Sequence, residues 1–243
     1  MEPQVSAPGM SEASRVVGVI TSPDKAFADI AQRPRWIVPM LLVILSSLSL
    51  IWFFNQRVGW DRFINTTIAN DPRIEKLPPE QKATVLAQQR KFVPIMGWVA
   101  PVVFTPVVTA IVALILLGVF NLAMGAQFKF KNLFSIATYS GLPGVIHSLL
   151  AILVMHLKEP DEFDLQHPTA FNLGAILDPD KSAKWLQSLL GSFDLFIFWS
   201  IVLLAIGIRA LDRKRSFGSC LAGVLIPWVI WVVCKTGWAA MFG

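Results

Sequence analysis

From Trp36 to Phe54 the chain carries no charged residue. As a helix this run is about 28 Å long at roughly 1.5 Å per residue, enough to cross a hydrocarbon layer of about 30 Å. A single such run could be the buried core helix of a soluble protein. Here it recurs at Phe92–Phe128, Phe134–Leu157, Leu195–Ile208 and Phe217–Cys234. Only 15% of all residues are charged and 54% are apolar, where soluble domains carry about 25% charge. The pattern predicts an all-α, polytopic membrane protein. It has five transmembrane helices, at about residues 36–54, 99–120, 134–157, 193–211 and 217–238, plus short amphipathic interfacial helices.

The segment before the first span is the most informative. Ser22-Pro23 reads as a helix start, with a hydroxyl cap and a proline at the first position, where its missing N–H costs nothing. Phe27, Ile30 and Ala31 then share one face, leaving Asp24, Lys25 and Asp29 for water. Pro34 ends this helix, and Arg33, Arg35 and Trp36 suit a headgroup zone. Residues 1–14 have no charged region followed by an apolar one, so no cleavable signal is expected. Their Pro, Ser and Gly content reads as a disordered cytosolic tail, with the membrane domain covering 15–243.

Later segments carry breaks and isolated polar groups. Leu77-Pro78-Pro79-Glu80 looks like the entry to an amphipathic helix that leads to the second span, and Pro94, Pro101 and Pro106 predict kinks beyond it. Tyr139-Ser-Gly-Leu-Pro143-Gly144 predicts an irregular helix whose freed backbone groups need other partners. The loop 158–184 holds an acidic cluster (Glu159, Asp161, Glu162, Asp164) without the spacing of a calcium loop, and Asp178-Pro179-Asp180 reads as a helix start. Gly218/Ala222 and Ser219/Gly223 are small pairs suited to close packing in the fifth span.

Composition and motifs also exclude classes. The net charge of +5 is scattered, with no basic stripe, so nucleic acid is not a partner. No HExxH, GxSxG, P-loop or CxxC is present, so the chain reads as no enzyme, with no catalytic residues, no cofactor and no metal. Cys220 and Cys234 lie about 21 Å apart along one helix and read as lipid-facing or packing residues. His147 and His156 fall on different faces of the third span and read as hydrogen-bonded packing residues. His167 is a loop residue. Asp194, inside an apolar stretch, is either a functional ionisable group at membrane depth or the cap of the fourth helix. Lys235 can snorkel outward.

Five spans place the two ends on opposite sides. Ten Lys and Arg fall on the N-terminal side and eleven on the other. The ten sit in shorter segments, with Arg209, Arg213, Lys214 and Arg215 crowding one hairpin, which favours a cytoplasmic N-terminus.

The run Thr21-Ser-Pro…Phe27…Ile30…Arg33-Pro-Arg-Trp36…Pro39 resembles the opening of bacterial members of the Yip family of integral membrane proteins, named for Ypt/Rab-interacting protein. Gln88-Gln-Arg-Lys-Phe92, Tyr139-Ser-Gly-Leu-Pro143 and Phe193-Asp-Leu-Phe…Trp199 extend the resemblance, in order, from about residue 15 to 240. It implies a five-span helical domain with a cytosolic N-terminus, located in a bacterial inner membrane. Eukaryotic members are implicated in vesicle traffic through prenylated Rab GTPases and associate with one another. This chain departs from them: its tail is about 35 residues, and with Tyr139 as the sole tyrosine it lacks their Asp-Leu-Tyr-Gly-Pro stretch. The resemblance marks Pro23, Phe27, Trp36, Tyr139, Pro143 and Asp194. Together with Arg33 and His147 these are the candidate site residues.

Two functions fit this reading. One is a membrane adaptor or scaffold that docks proteins on helix 23–33 and hairpin 209–215, with membrane lipids and further copies of itself as other partners. The alternative is a small transporter or lipid translocator, with a polar path along the broken third helix (Tyr139, Ser140, His147) and Asp194. An intramembrane enzyme is a third class, without an acid–base or metal constellation to support it.

Overall fold

The structure is a computed structural model that describes residues 9–68, 72–160, 163, 168–178 and 181–242. Residues 1–8 of the expected tail, Asp161, Glu162 and Asp164 of the acidic cluster, His167, and Pro179-Asp180 lie outside the described residues. Among the described residues the chain is all-α, with one isolated bridge between Asn172 and Asp194. The α-helices are α1 (Glu12–Thr21), α2 (Pro23–Gln32), α3 (Ile37–Arg57), α4 (Trp60–Phe63), α5 (Pro72–Glu75), α6 (Pro79–Leu117), α7 (Phe130–Ser140), α8 (Pro143–Leu157), α9 (Lys184–Gly191), α10 (Leu195–Leu211) and α11 (Phe217–Phe242). Wider π turns follow α4 and α6.

Among the described residues four stretches are long and apolar enough to cross a membrane: Ile37–Arg57, Pro79–Ala123, Phe130–Leu157 and Phe217–Phe242. The fifth expected span is the shorter apolar helix α10, about 25 Å long. Large apolar side chains stand exposed along these helices, including Val102, Phe104, Val108 and Leu114 on α6 and Ile226, Ile230 and Val233 on α11. Such bands are stable only against lipid or a partner.

Several boundaries differ from expectation for physical reasons. Residues 12–14, expected in the disordered tail, are helical because Ser11 caps α1, its Oγ accepting from Ser14 N at 3.1 Å. Pro23 does open α2, but the Ser22 hydroxyl makes no capping bond. The amphipathic segment after Pro79 and the second span are one helix, with Pro94, Pro101 and Pro106 inside it. Each proline removes one ladder bond and bends a helix without having to end it. At about 58 Å, α6 exceeds the hydrocarbon thickness, so its polar first turns stand outside. The helix expected from Asp178 starts instead at Lys184.

The chain divides into two compact units. The first takes the chain through Leu42, Val108–Gly144, and Ala170 onward. In it α2 and α7 pack on α10, α1 packs on α2, and α11 packs on α9 and α10. Gly223 of α11 lies against the Phe120 ring, where no Cβ would fit, whereas Gly218 faces open space. Cys220 is buried and Cys234 exposed. The second unit comprises Val43–Val107 and Val145–Thr169. Its core gathers Phe54, Met155 and Phe163, with the Trp60 and Phe63 rings edge-on to Phe54. Gly59 turns the chain after α3 at a φ of 83°, open to glycine at little cost. Arg57 closes the end of α8: Nε donates to Met155 O at 2.6 Å, and Nη2 to His156 O and Lys158 O at 3.1 and 3.0 Å. A cation on these orphan carbonyls also opposes the negative end of the helix dipole. Arg57→Met is expected to lower stability by about 1 kcal/mol, read as a lower unfolding temperature in detergent with faster amide exchange after Ile152.

Candidate functional site

The buried polar centre of the first unit starts in α1. Arg15, Gly18 and Val19 form its inner face, and Gly18 lets α2 approach, since a Cβ there would stand 3.2 Å from that of Ala26. On α2 the inner face is Ala26, Phe27 and Ile30. Asp29, three residues beyond Ala26, flanks it and does not stay in water: its side chain is 12% exposed. The Arg15 side chain is 2% exposed. Its Nε donates to Asp29 Oδ2 at 2.7 Å and its Nη2 lies 2.6 Å from the same oxygen. Nη1 lies 3.2 Å from Glu12 Oε1. One guanidinium thus joins carboxylates of two helices.

A third helix completes the centre. Residues Leu133 to Ser140 of α7 are all buried, and Tyr139 donates its hydroxyl proton to Glu12 Oε2 at 2.7 Å. At the rim Arg33 Nη2 lies 3.3 Å from Asp29 Oδ1, and the Met10 amide donates to the same oxygen at 3.3 Å. Asn132 of α7 donates to Ala31 O at 3.1 Å, holding the end of α2. Burial opposes the charge of Arg15. The bonds and charge of Asp29, with Tyr139 and Glu12, outweigh it and raise the guanidinium pKa above its ordinary value. A raised basic pKa stabilises the fold below the ordinary value and is lost only above it, so the cation persists at every physiological pH. Beneath the polar centre, Gly207 of α10 admits the Ile136 side chain and the Phe27 ring, which would stand 3.0 Å from a Cβ.

The candidate residues fall into separate places. Phe27, Arg33 and Tyr139 belong to or border this centre. Trp36 packs edge-on to Phe134, ring centroids 5.3 Å apart. Pro143 opens α8 after the Gly141-Leu142 turn, as the predicted break requires. His147 Nε2 lies 2.7 Å from the hydroxyl of buried Thr169, within the second unit. Asp194 is the cap of α10: its Oδ1 accepts from Phe196 N at 2.8 Å and Ile197 N at 3.1 Å. Asp194 is about 20 Å along α10 from Gly207, where Phe27 and Ile136 pack. Lys235, expected to reach outward, donates to Ser192 Oγ at 3.2 Å.

Glu12, Arg15 and Asp29 are the members that reading the sequence missed. The i, i+3 pair Glu12/Arg15 was a usable signal, as was Asp29 beside the apolar face of α2. On the outer side of α2, Asp24, Lys25 and Ala28 line a recess of about 370 Å³ with Ile206, Arg209, Ala210 and Arg213 of α10 and the hairpin.

These features define a polytopic α-helical integral membrane protein. The chain belongs to the Yip1 domain family, whose profile matches residues 17–239. It is similar to the membrane protein YknW of Bacillus subtilis (strain 168), 25% identical over 221 residues that cover 89% of this chain and 88% of the relative. No solved structure matches.

Substitutions at two positions separate the buried pair from the cap. Arg15→Met removes the buried cation from two part-buried carboxylates, which keep only Arg33 and Arg35 at the rim, and is expected to cost about 2–3 kcal/mol. Asp194→Asn keeps an acceptor at the cap and should cost a few tenths of a kcal/mol, against about 1 for Asp194→Ala. Thermal unfolding in one detergent, scored for all three variants, checks this order.

Proposed function

We propose that this protein is a non-enzymatic adaptor or scaffold of the bacterial inner membrane, with its N-terminus in the cytoplasm. Its docking face is the outer side of α1 together with the hairpin after α10. One observation carries the reading: the N-terminal helices are clamped to α7 by the Arg15 centre, so the face is preformed and needs no ordering when a partner arrives. Ser14, Val17 and Thr21 line the free side of α1, with Val17 61% exposed. Lys214 is exposed at the hairpin tip. Short, dense basic segments on this side support its cytoplasmic placement. The translocator alternative draws no support from a carboxylate engaged in capping its own helix.

The test is a photoreactive residue placed at Val17 in cells, with a second at Leu153, an exposed apolar position on α8. A discrete protein adduct is expected from position 17 and not from 153. Lipid adducts alone from position 17 would overturn the adaptor reading.

A further inference from the structure

We propose that the recess between α2 and the C-terminal end of α10 binds the phosphate of an anionic phospholipid headgroup. The inference stands whether or not a protein docks on α1. Three cations, Lys25, Arg209 and Arg213, surround the recess with one carboxylate, Asp24. Among the described residues none of the three cations forms an ion pair. The neighbouring basic residues are engaged: Arg215 bonds Asp212 at 3.0 Å and Met124 O at 2.9 Å, and Arg15, Arg33 and Arg35 all face carboxylates.

Helix electrostatics explain only part of this cluster. Arg209 lies in the last turn of α10, where the dipole favours a cation. Lys25 lies in the first turn of α2, where the dipole opposes one. Its placement beside two arginines, with an excess of two positive charges, is relieved by an anion in the recess. A volume of about 370 Å³ lies within the usual range for small-ligand pockets.

The surroundings favour a lipid as the source of that anion. Val202, Ile206 and Arg209 fall at i, i+4 and i+7 on α10, and Val202 is 40% exposed. An apolar stripe therefore leads into the cations, as an acyl chain leads to its phosphate. Ile206, Ala28 and Ala210 supply apolar lining. Asp24 can accept from a headgroup hydroxyl, which fits a phosphodiester carrying a polyol.

The test uses the full chain in nanodiscs of equal phosphatidylglycerol and phosphatidylcholine, with retained lipid counted by native mass spectrometry. Retention of one phosphatidylglycerol is expected. At about 1 kcal/mol for each Lys or Arg near an anionic surface, each cation contributes about fivefold. The triple variant Lys25→Gln/Arg209→Gln/Arg213→Gln should lose about 100-fold in preference. Ala210→Phe, which fills the recess and keeps every charge, should lose retention as well. A control triple, Lys91→Gln/Lys129→Gln/Lys184→Gln, removes the same charge from exposed sites elsewhere and should retain the lipid. Equal loss in the control, or full retention in Ala210→Phe, would overturn the site. Equal occupancy by soluble glycerol phosphate in phosphatidylcholine discs would overturn the lipid assignment in favour of a free phosphate. Unchanged helical circular dichroism confirms that each variant is folded.

Discussion

A guanidinium removed from water must find its counter-charges inside the protein, and the first unit is arranged around that requirement. Arg15 reaches Asp29 on the next helix and Glu12 on its own, and Glu12 in turn receives the Tyr139 hydroxyl from α7. Three helices, one of them far from the others in sequence, therefore share one electrostatic centre. Separating any of them would take a partner from a buried polar group, a larger penalty than breaking an ordinary surface ion pair. The apolar layer of Phe27, Ile136 and Gly207 beneath it supplies close packing, and the polar centre sets which residues meet.

The second constraint is the bilayer, which supplies no partner for a free backbone group. Several irregularities in the apolar helices come with their own solution. At the α7–α8 break, Leu142 N bonds Tyr139 O at 3.1 Å and Gly144 N bonds Gly141 O at 2.9 Å. After α6, the Asn121 amide brackets Phe128, donating to its carbonyl and accepting from its N–H, both at 2.9 Å. Arg215 closes the same turn by donating to Met124 O. Arg57 does the same for the end of α8. Polar side chains near helix ends here act mainly on backbone carbonyls and amides.

Much of the fold is legible in the sequence because its signals are local. Uncharged runs mark the membrane helices, Pro23 marks a helix start, and Tyr139 to Gly144 mark the break. The departures share a cause. Ser11 is hidden in a tail of disordered composition, and the entry segment and the second span, read as separate pieces with kinks at the prolines, are one helix from Pro79. A carboxylate on a short amphipathic helix usually faces water, as Asp29 is expected to do. Its place beside the apolar face signals partial burial, but does not say that an arginine fourteen residues earlier will cover it.

The sequence by itself determined the class of protein, since hydrophobic run length against bilayer thickness is a property of the chain alone. It also marked the break at Tyr139 to Gly144, where glycine and proline act together within a turn, whereas the prolines of α6 lie inside one helix. Only the tertiary structure decided which polar residues matter together. It paired Arg15 with Asp29 and turned Tyr139 toward Glu12. It also gathered Lys25, Arg209 and Arg213 around one recess. Those choices depend on distances between separate helices, and a hydrogen-bonded ion pair forms only within about 3 Å, a separation that sequence position does not fix.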